Sequence, residues 1–263
     1  MKLTVNGIEH HVQLGGPETA PVVMLSHSLA SSMVMWNPQL AVLEQHFRVL
    51  RHDVRGHGGS ATSPVSYSLD DLAADVVGLL DGLDIQQVHF VGLSMGGMIG
   101  QGLGIHHPGR LLSLCLCDTM AQVPAEAQST WQERIDKARE GGMAALADAT
   151  LERWFTAPFR NGQPDQVAPI RQGILETPVE GFVGAAEAIR KLDYLAQLSG
   201  IRLPTLVMVG ADDTGTPVSA AEAIQQRIPG AQLRVLPNAA HLANIEQSHA
   251  FNETLLGFLQ SLA

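Results

Sequence analysis

Short apolar runs alternate with longer amphipathic stretches along most of the chain. The runs are four to seven residues long and rich in β-branched and aliphatic side chains, which predicts strands buried on both faces. The stretches between them repeat apolar residues at helical spacing, as in Leu69 to Leu83 behind the helix-capping Ser68. Strands that alternate with helices indicate an α/β fold with a mostly parallel sheet. The predicted strands are 22–26, 47–52, 88–91, 111–117, 205–209 and 232–236.

The first residues predict a β-hairpin. Residues 3–5 and 8–14 flank Asn6-Gly7, a strong signal for a two-residue hairpin turn. We expect these two strands to form an antiparallel edge, which brings the predicted sheet to eight strands.

The alternation stops between about Gln122 and Leu198. This region predicts helices alone, and it holds Trp131 and Trp154, two of the three tryptophans. We therefore divide the chain into an α/β core, residues 1–121 and 199–263, and a helical lid, residues 122–198, inserted before the last two strands. Its aromatic side chains either line a pocket or form the lid's own small core. The predicted helices are 130–140, 143–155, 166–176 and 181–192.

A Gly-x-Ser-x-Gly motif centred on Ser94 lies between a predicted strand and a predicted helix. This context is typical of a nucleophile elbow, a sharp turn that exposes the serine hydroxyl at the end of a sheet. The motif also occurs by chance in glycine-rich chains, and this chain has 26 glycines. The strand before it and the helix after it favour the catalytic interpretation.

A serine nucleophile needs a base that takes its proton and an acid that orients the base. After Ser94, an aspartate follows the next-to-last strand and His241 follows the last, the chain order of α/β-hydrolases. The acid is Asp213 or Asp212, and we favour Asp213 because it lies deeper in the turn. Two weaker candidates are Asp118, after the preceding strand, as the acid and His57, in a glycine-rich turn, as the base.

Two backbone amides are candidates for an oxyanion hole. The amide of Met95 follows the nucleophile at a helix N-terminus, where anions are favoured. The loop of small residues from His27 to Ser32 follows a central strand, where α/β sheets place ligands. We expect the Leu29 amide to be the second donor, although an ordinary connecting loop would have the same composition.

Composition excludes several classes of partner. The net charge of −10 argues against nucleic acid, and no basic run indicates an anionic membrane surface. We expect no signal peptide, no membrane segment and a cytoplasmic location. No histidine, cysteine and carboxylate spacing indicates a metal, and no Gly-x-Gly-x-x-Gly indicates a dinucleotide, so we expect no cofactor. Cys115 and Cys117 are interpreted as small buried residues. The pattern carries no signal for an oligomeric state.

The chain resembles the α/β-hydrolases and, within that fold, the 3-oxoadipate enol-lactonases of the β-ketoadipate pathway. The similarity extends nearly end to end. The Ser94 motif identifies only the fold, whereas Arg153-Trp154-Phe155-Thr156 is much more particular to the lactonases. The matching stretches are 25–29, 46–58, 90–101, 142–149, 153–156 and 240–246.

The resemblance implies a carboxylic ester hydrolase that opens 3-oxoadipate enol-lactone to 3-oxoadipate through an acyl-enzyme. It carries the triad onto Ser94, Asp213 and His241, and the oxyanion amides onto Leu29 and Met95. A broad carboxylesterase or lactonase, or a hydrolase of carbon–carbon bonds in ring-cleavage products, would use the same triad. A non-catalytic binding protein would need a broken triad.

The chain departs from the lactonases near the expected pocket. They carry Asn in place of His27, Gly in place of Ala30 and Asn-Thr in place of Asp118-Thr119; in the lid they carry Tyr and Cys near Phe182 and Ala186. These changes leave the chemistry intact and bear on the substrate. Because the enol lactone has a free carboxylate, we expect one specific lid arginine to meet it.

Three lid aromatics are candidates for the substrate pocket: Trp131, Trp154 and Phe155. Trp131 opens a lid helix and is therefore free to face a substrate. Trp154 lies in the middle of the lid, which favours packing within the lid core. The substrate expected from these features is a small lactone or ester.

Overall fold

The computed structural model of the protein describes residues 1–262, and in this range eight strands form one sheet. The strands are β1 (Lys2–Val5), β2 (Ile8–Gly15), β3 (Val22–Ser26), β4 (Arg48–His52), β5 (Val88–Leu93), β6 (Leu111–Cys117), β7 (Thr205–Gly210) and β8 (Gln232–Leu236). Their order is β1-β2-β4-β3-β5-β6-β7-β8. From β4 to β8 all neighbours are parallel, whereas β1 and β2 are antiparallel. The predicted fold class and strands are confirmed.

The N-terminal hairpin forms where the sequence predicts it. Val5 pairs with Ile8, and Asn6 and Gly7 both have positive φ, at 51° and 78°. Two central residues with positive φ match the twist of the flanking strands, and Asn-Gly tolerates this conformation best.

Helices surround the sheet. They are α1 (Asn37–Leu43), α2 (Leu69–Gly82), α3 (Met95–His106), α4 (Gln128–Gly141), α5 (Ala144–Trp154), α6 (Ala157–Gly162), α7 (Pro164–Glu176), α8 (Val179–Ile189), α9 (Val218–Arg227), α10 (Ala243–Glu246) and α11 (Ser248–Gln260). Among residues 1–262, no helix combines the length and apolar character needed to cross a bilayer.

Helix α2 shows how the sequence builds these elements. Ser68 and Asp71 form a capping box, in which each side chain accepts the other's backbone N–H. Leu72, Val76 and Leu79 are buried on one face, and the helix packs against α3 and β1. The local signals and the packing therefore agree.

Apolar residues recur at helical spacing over residues 244–262 and predict one final helix, whereas the structure has two, α10 and α11. The structure breaks it at Gln247, whose φ of −121° and ψ of 48° are not helical. Gln247 donates through Nε2 to the carbonyl of Asn238 at 2.9 Å, in the loop that carries His241. This hydrogen bond ties the break between α10 and α11 to that loop.

The segment between β6 and β7 is all helical, comprising α4 to α8. The sequence pattern does not predict the short helix α6, because six residues are too few to show a helical repeat of apolar positions. Thr156 caps this helix, and Pro158 lies in its first turn. Gln122 and Asp193 form an isolated β-bridge that joins the two ends of the segment. The role of this segment as a lid remains a prediction.

Candidate active site

Ser94 lies at the turn between β5 and α3. Its φ of 57° and ψ of −114° are strained for a residue with a side chain. The turn is tight because two chain segments pass very close: a Cβ on Gly92 would come within 2.1 Å of the Gly96 carbonyl oxygen, and a Cβ on Gly96 equally close to that of Ser26. The Ser94 amide donates to the carbonyl of Cys117 at 2.8 Å, which fixes the elbow on β6.

Asp213 and His241 form a buried pair at the ends of β7 and β8. The Nδ1 atom of His241 lies 2.8 Å from Oδ2 of Asp213. Nδ1 therefore carries the proton, and Nε2 is left as the acceptor. Asp213 also accepts from the amides of Gly215 and Thr216 and from the Thr216 hydroxyl. Burial acts to raise the pKa of Asp213, but His241 and the Thr216 donors outweigh it, and the pKa lies below its ordinary value.

The other candidate acids and bases lie in different surroundings. Asp212 is exposed, and only its backbone amide is engaged, with the carbonyl of Ala239. Asp118 is buried, and burial together with the charge of Asp213 raises its pKa well above the ordinary value. His57 is buried, and burial lowers its pKa to about 3. The structure brings none of these three side chains to hydrogen-bonding distance of His241 within residues 1–262.

Ser94 and His241 line one cavity of about 80 Å³. Leu29, Trp131 and Trp154 line it as well. The Trp154 ring stacks on the His241 ring with centroids 6.4 Å apart and planes 25° apart, so Trp154 contacts the candidate base and does not lie wholly within a lid core.

The structure does not bring Phe155 to this cavity. Its side chain is fully buried and stacks on Phe159, with ring centroids 5.2 Å apart. It borders a separate groove of about 830 Å³, and Arg153 lines both this groove and the Ser94 cavity. Trp154 and Phe155 are adjacent at the end of α5 and point in different directions, so only Trp154 reaches the Ser94 cavity. The prediction that Phe155 lines this cavity is therefore wrong.

The two candidate oxyanion donors belong to residues close to Ser94: Met95 follows it in the chain, and Leu29 lines the same cavity. Among residues 1–262, neither the Leu29 amide nor the Met95 amide donates to a protein acceptor. The loop that carries Leu29 is held to the elbow, since the Gly96 amide donates to the carbonyl of His27 at 3.1 Å. Both donors therefore remain available to a substrate oxygen.

His27 holds the Leu29 loop in place. Its Nδ1 donates to the carbonyl of Ser28 at 2.7 Å, and its Nε2 accepts from the Val54 amide at 2.9 Å. Burial lowers its pKa, so the ring is neutral and can act as donor and acceptor at once. Ala30, in the same loop, has a φ of 58°, the left-handed region that glycine occupies more easily.

Arg134 is a site residue that the sequence pattern does not single out. It lines the Ser94 cavity, and its guanidinium lies 4.4 Å from the centre of the Trp131 ring and 5.8 Å from that of Phe182. Its Nε atom is shut off from solvent and has no hydrogen-bond partner in residues 1–262. Burial and then the charge of Arg153 lower its pKa to about 9, so the group is still cationic at neutral pH. The sequence does carry one signal for this residue: Arg134 is three residues after Trp131 on a predicted helix, and residues at this spacing lie side by side.

This arrangement of a strained serine, a histidine–carboxylate pair and a mostly parallel sheet defines a class of protein. Residues 21–248 match the model of the alpha/beta hydrolase fold family, and the chain belongs to that family. It is an enzyme of the hydrolase class.

Individual relatives are similar over nearly the whole chain. The chain is 36% identical to 3-oxoadipate enol-lactonase 1 of Acinetobacter baylyi, over 95% of this chain and 93% of that protein. The crystal structure of the enol-lactonase from Burkholderia xenovorans LB400 superposes with a TM-score of 0.95 at 40% identity, covering 99% of this chain and 100% of the other. A candidate carbamate hydrolase, RutD of Variovorax paradoxus, is 30% identical over 95% of each chain.

Proposed function

We propose that the protein is a serine hydrolase that opens a small enol lactone bearing a carboxylate, with 3-oxoadipate enol-lactone as the substrate and 3-oxoadipate as the product. The observation that carries the proposal is the placement of Ser94 and of His241, which is paired with Asp213, on one small cavity. Similarity to enol-lactonases over 95% of the chain supports the choice of lactone.

The first half of the reaction forms an acyl-enzyme. Ser94 Oγ attacks the lactone carbonyl carbon while His241 Nε2 takes its proton. The amides of Leu29 and Met95 donate to the oxyanion, a contribution of roughly 3–4 kcal/mol per donor in other serine hydrolases. Collapse of the tetrahedral intermediate breaks the ring C–O bond. The leaving enolate oxygen takes the proton from His241.

The second half of the reaction consumes one water. His241 Nε2 takes a proton from water, whose oxygen attacks the acyl carbon. The second tetrahedral intermediate breaks its bond to Ser94 Oγ, which recovers a proton from His241. Lactone and water become a carboxylic acid and an enol, and the enol tautomerises to the ketone.

Arg134 supports a substrate with a free carboxylate. A guanidinium that is stacked on Trp131, has an unpaired Nε atom and faces the Ser94 cavity is suited to a planar anion. Arg153 lines the same cavity and adds positive charge. No carboxylate within residues 1–262 forms a salt bridge with Arg134, so a neutral ester would leave this guanidinium without a counter-ion.

The test compares two enol lactones that differ in the carboxylate. We expect Arg134→Gln to raise KM for 3-oxoadipate enol-lactone about 10- to 100-fold, the loss of a charged hydrogen bond. It should change KM for α-angelica lactone, which lacks the carboxylate, by less than about threefold. Arg139→Gln, an exposed arginine on the same helix, is the matched control.

Each part of the proposal has its own contrary result. Equal effects of Arg134→Gln on both lactones would show that Arg134 does not bind the substrate carboxylate. A folded Ser94→Ala variant with near-normal turnover would exclude the serine mechanism, since we expect a loss of at least about 10³-fold. Higher kcat/KM for p-nitrophenyl acetate or a simple carbamate than for the enol lactone would exclude the proposed substrate.

A further inference from the structure

The carboxylate of Glu246 joins two parts of the chain that flank the candidate base. Glu246 ends α10 and is only 8% exposed. Its Oε2 accepts from the Ala240 amide at 2.9 Å. Its Oε1 accepts from the Thr156 amide at 3.1 Å and from the Thr156 hydroxyl. All the partners of this carboxylate in residues 1–262 are neutral donors, and no cation pairs with it there.

The loop of His241 is held through these contacts. Ala240 directly precedes His241, and the amide of the following Leu242 donates to the carbonyl of Trp154 at 3.0 Å. The backbone on one side of the histidine is thus fixed by Glu246, and on the other side by Trp154. Trp154 also stacks on the ring itself. Asp213 then fixes only the rotation of a ring whose backbone is already placed.

We infer that Glu246 is a positioning residue for His241: it holds the backbone of the histidine loop and fastens onto it the turn at Trp154–Thr156, which follows helix α5. This inference rests on the proposed function, because it assigns His241 the role of base. Glu246 is not among the residues that line the Ser94 cavity, so its effect reaches a substrate there through the histidine loop and the neighbouring Trp154. Misplacement of a catalytic group by about 1 Å can cost about 100-fold in rate.

Replacement of Glu246 by Gln is the decisive variant. The amide keeps the size of the side chain but presents one oxygen and one NH2 group to donors on both sides, at Ala240 and Thr156. One side therefore faces donor against donor. Thr156→Val removes the hydroxyl alone and leaves the Ala240 contact intact. Glu253→Gln, an exposed glutamate whose side chain is 71% accessible, is the matched control.

We expect Glu246→Gln to lower kcat about 10- to 100-fold with KM changed less than about twofold. Thr156→Val should lose less than about threefold, and Glu253→Gln should match the parent. Rates are divided by the number of competent sites, counted by titration with a fluorophosphonate. A loss that merely reflects unfolded protein would disappear after this correction.

A second readout needs no substrate. The His241 Nδ1 proton, bonded to Asp213, gives a far-downfield proton NMR resonance, and we expect it to shift or to exchange faster with water in Glu246→Gln. An unchanged resonance with unchanged kcat per site overturns the inference, as does a loss confined to KM. Failure of the serine mechanism would show separately, as activity in Ser94→Ala. Should Glu246→Gln not fold, Glu246→Asp, which withdraws the carboxylate by one methylene, carries the same test with the same two readouts.

Discussion

Two aspartates, Asp118 and Asp213, follow neighbouring strands and lie in opposite electrostatic surroundings. Asp213 accepts from His241, two amides and a hydroxyl, and these donors favour its ionised form. Asp118 accepts one bond, from the Gly210 amide at 2.8 Å, and its Oδ2 is buried without a partner in residues 1–262. Burial first and the charge of Asp213 second raise the pKa of Asp118 well above its ordinary value, which favours its neutral form. This shift reduces the charge repulsion between the two buried carboxyl groups.

Asp212 and Asp213 are the two candidates for the acid that orients His241, and single substitutions distinguish them. We expect Asp213→Asn to lower kcat by about 10⁴-fold, because an amide cannot hold His241 in the tautomer that leaves Nε2 free. Asp212→Asn should change kcat less than about threefold, since its side chain is exposed. Steady-state kinetics of both variants on one ester substrate measure this, and the opposite ranking would move the acid by one residue.

At the scale of elements, the sequence predicted what depends on local pattern and chain order. The buried apolar runs predict the strands, and the Gly-x-Ser-x-Gly motif predicts the elbow at Ser94. The sequence pattern does not predict the full surroundings of Arg134, because the stack on Trp131 lies within α4 but the contact with Phe182 joins α4 to α8. For the same reason the contact of Trp154 with His241 had no local signal. Contacts between elements distant in sequence carry no signature within either one.

Helix α4 presents Trp131 to the cavity, and this placement leads to a prediction about specificity. Trp131 is partly exposed and carries the Arg134 guanidinium on its face. We expect Trp131→Ala to change the ranking of lactone and ester substrates while lowering the melting temperature only slightly. Substrate panels and thermal unfolding measure the two effects.

Trp36 is the control for that experiment. It is fully buried, packs on Phe251 and is not among the residues that line the Ser94 cavity. Trp36→Ala should cost about 3–5 kcal/mol of unfolding free energy and lower activity on all substrates alike. If Trp131→Ala behaves in the same way, Trp131 is a packing residue and the specificity prediction is wrong.

At the scale of the whole molecule, the stability of the fold is linked to a cluster of neutral histidines. His27 lies 5.4 Å from His57 and 6.4 Å from His52 between ring centroids. Burial lowers the pKa of each of the three rings. The unfolded chain takes up these protons as the pH falls below about 6.5, whereas the folded chain does not. Stability is therefore lost from pH 6.5 downwards, towards a pH of about 3 for His57.

The contribution of His57 to this pH dependence can be measured separately. His57→Asn keeps a donor towards the carbonyl of Arg55 and removes the titrating ring. Between pH 6 and pH 5, we expect the slope of unfolding free energy against pH to decrease by about 1.4 kcal/mol per pH unit, one proton's share. Urea unfolding at several pH values measures the slope. His249→Asn, at an exposed site, should leave it unchanged, and an unchanged slope in His57→Asn would mean that His57 is not neutral in the fold.

The β-bridge between Gln122 and Asp193 has a consequence for how such an enzyme can change. The Val123 amide donates to the carbonyl of Leu192 at 3.1 Å, and the Tyr194 amide to that of Ala121 at 2.8 Å, so the entry and exit of the helical segment lie side by side. A segment whose two ends meet can be exchanged for one of another length or shape without altering the distance between β6 and β7. Ser94, Asp213 and His241 all lie outside it. We therefore expect a different segment to be tolerated between β6 and β7 if it keeps the contacts that Trp154 and Thr156 make with the loop of His241 and with Glu246.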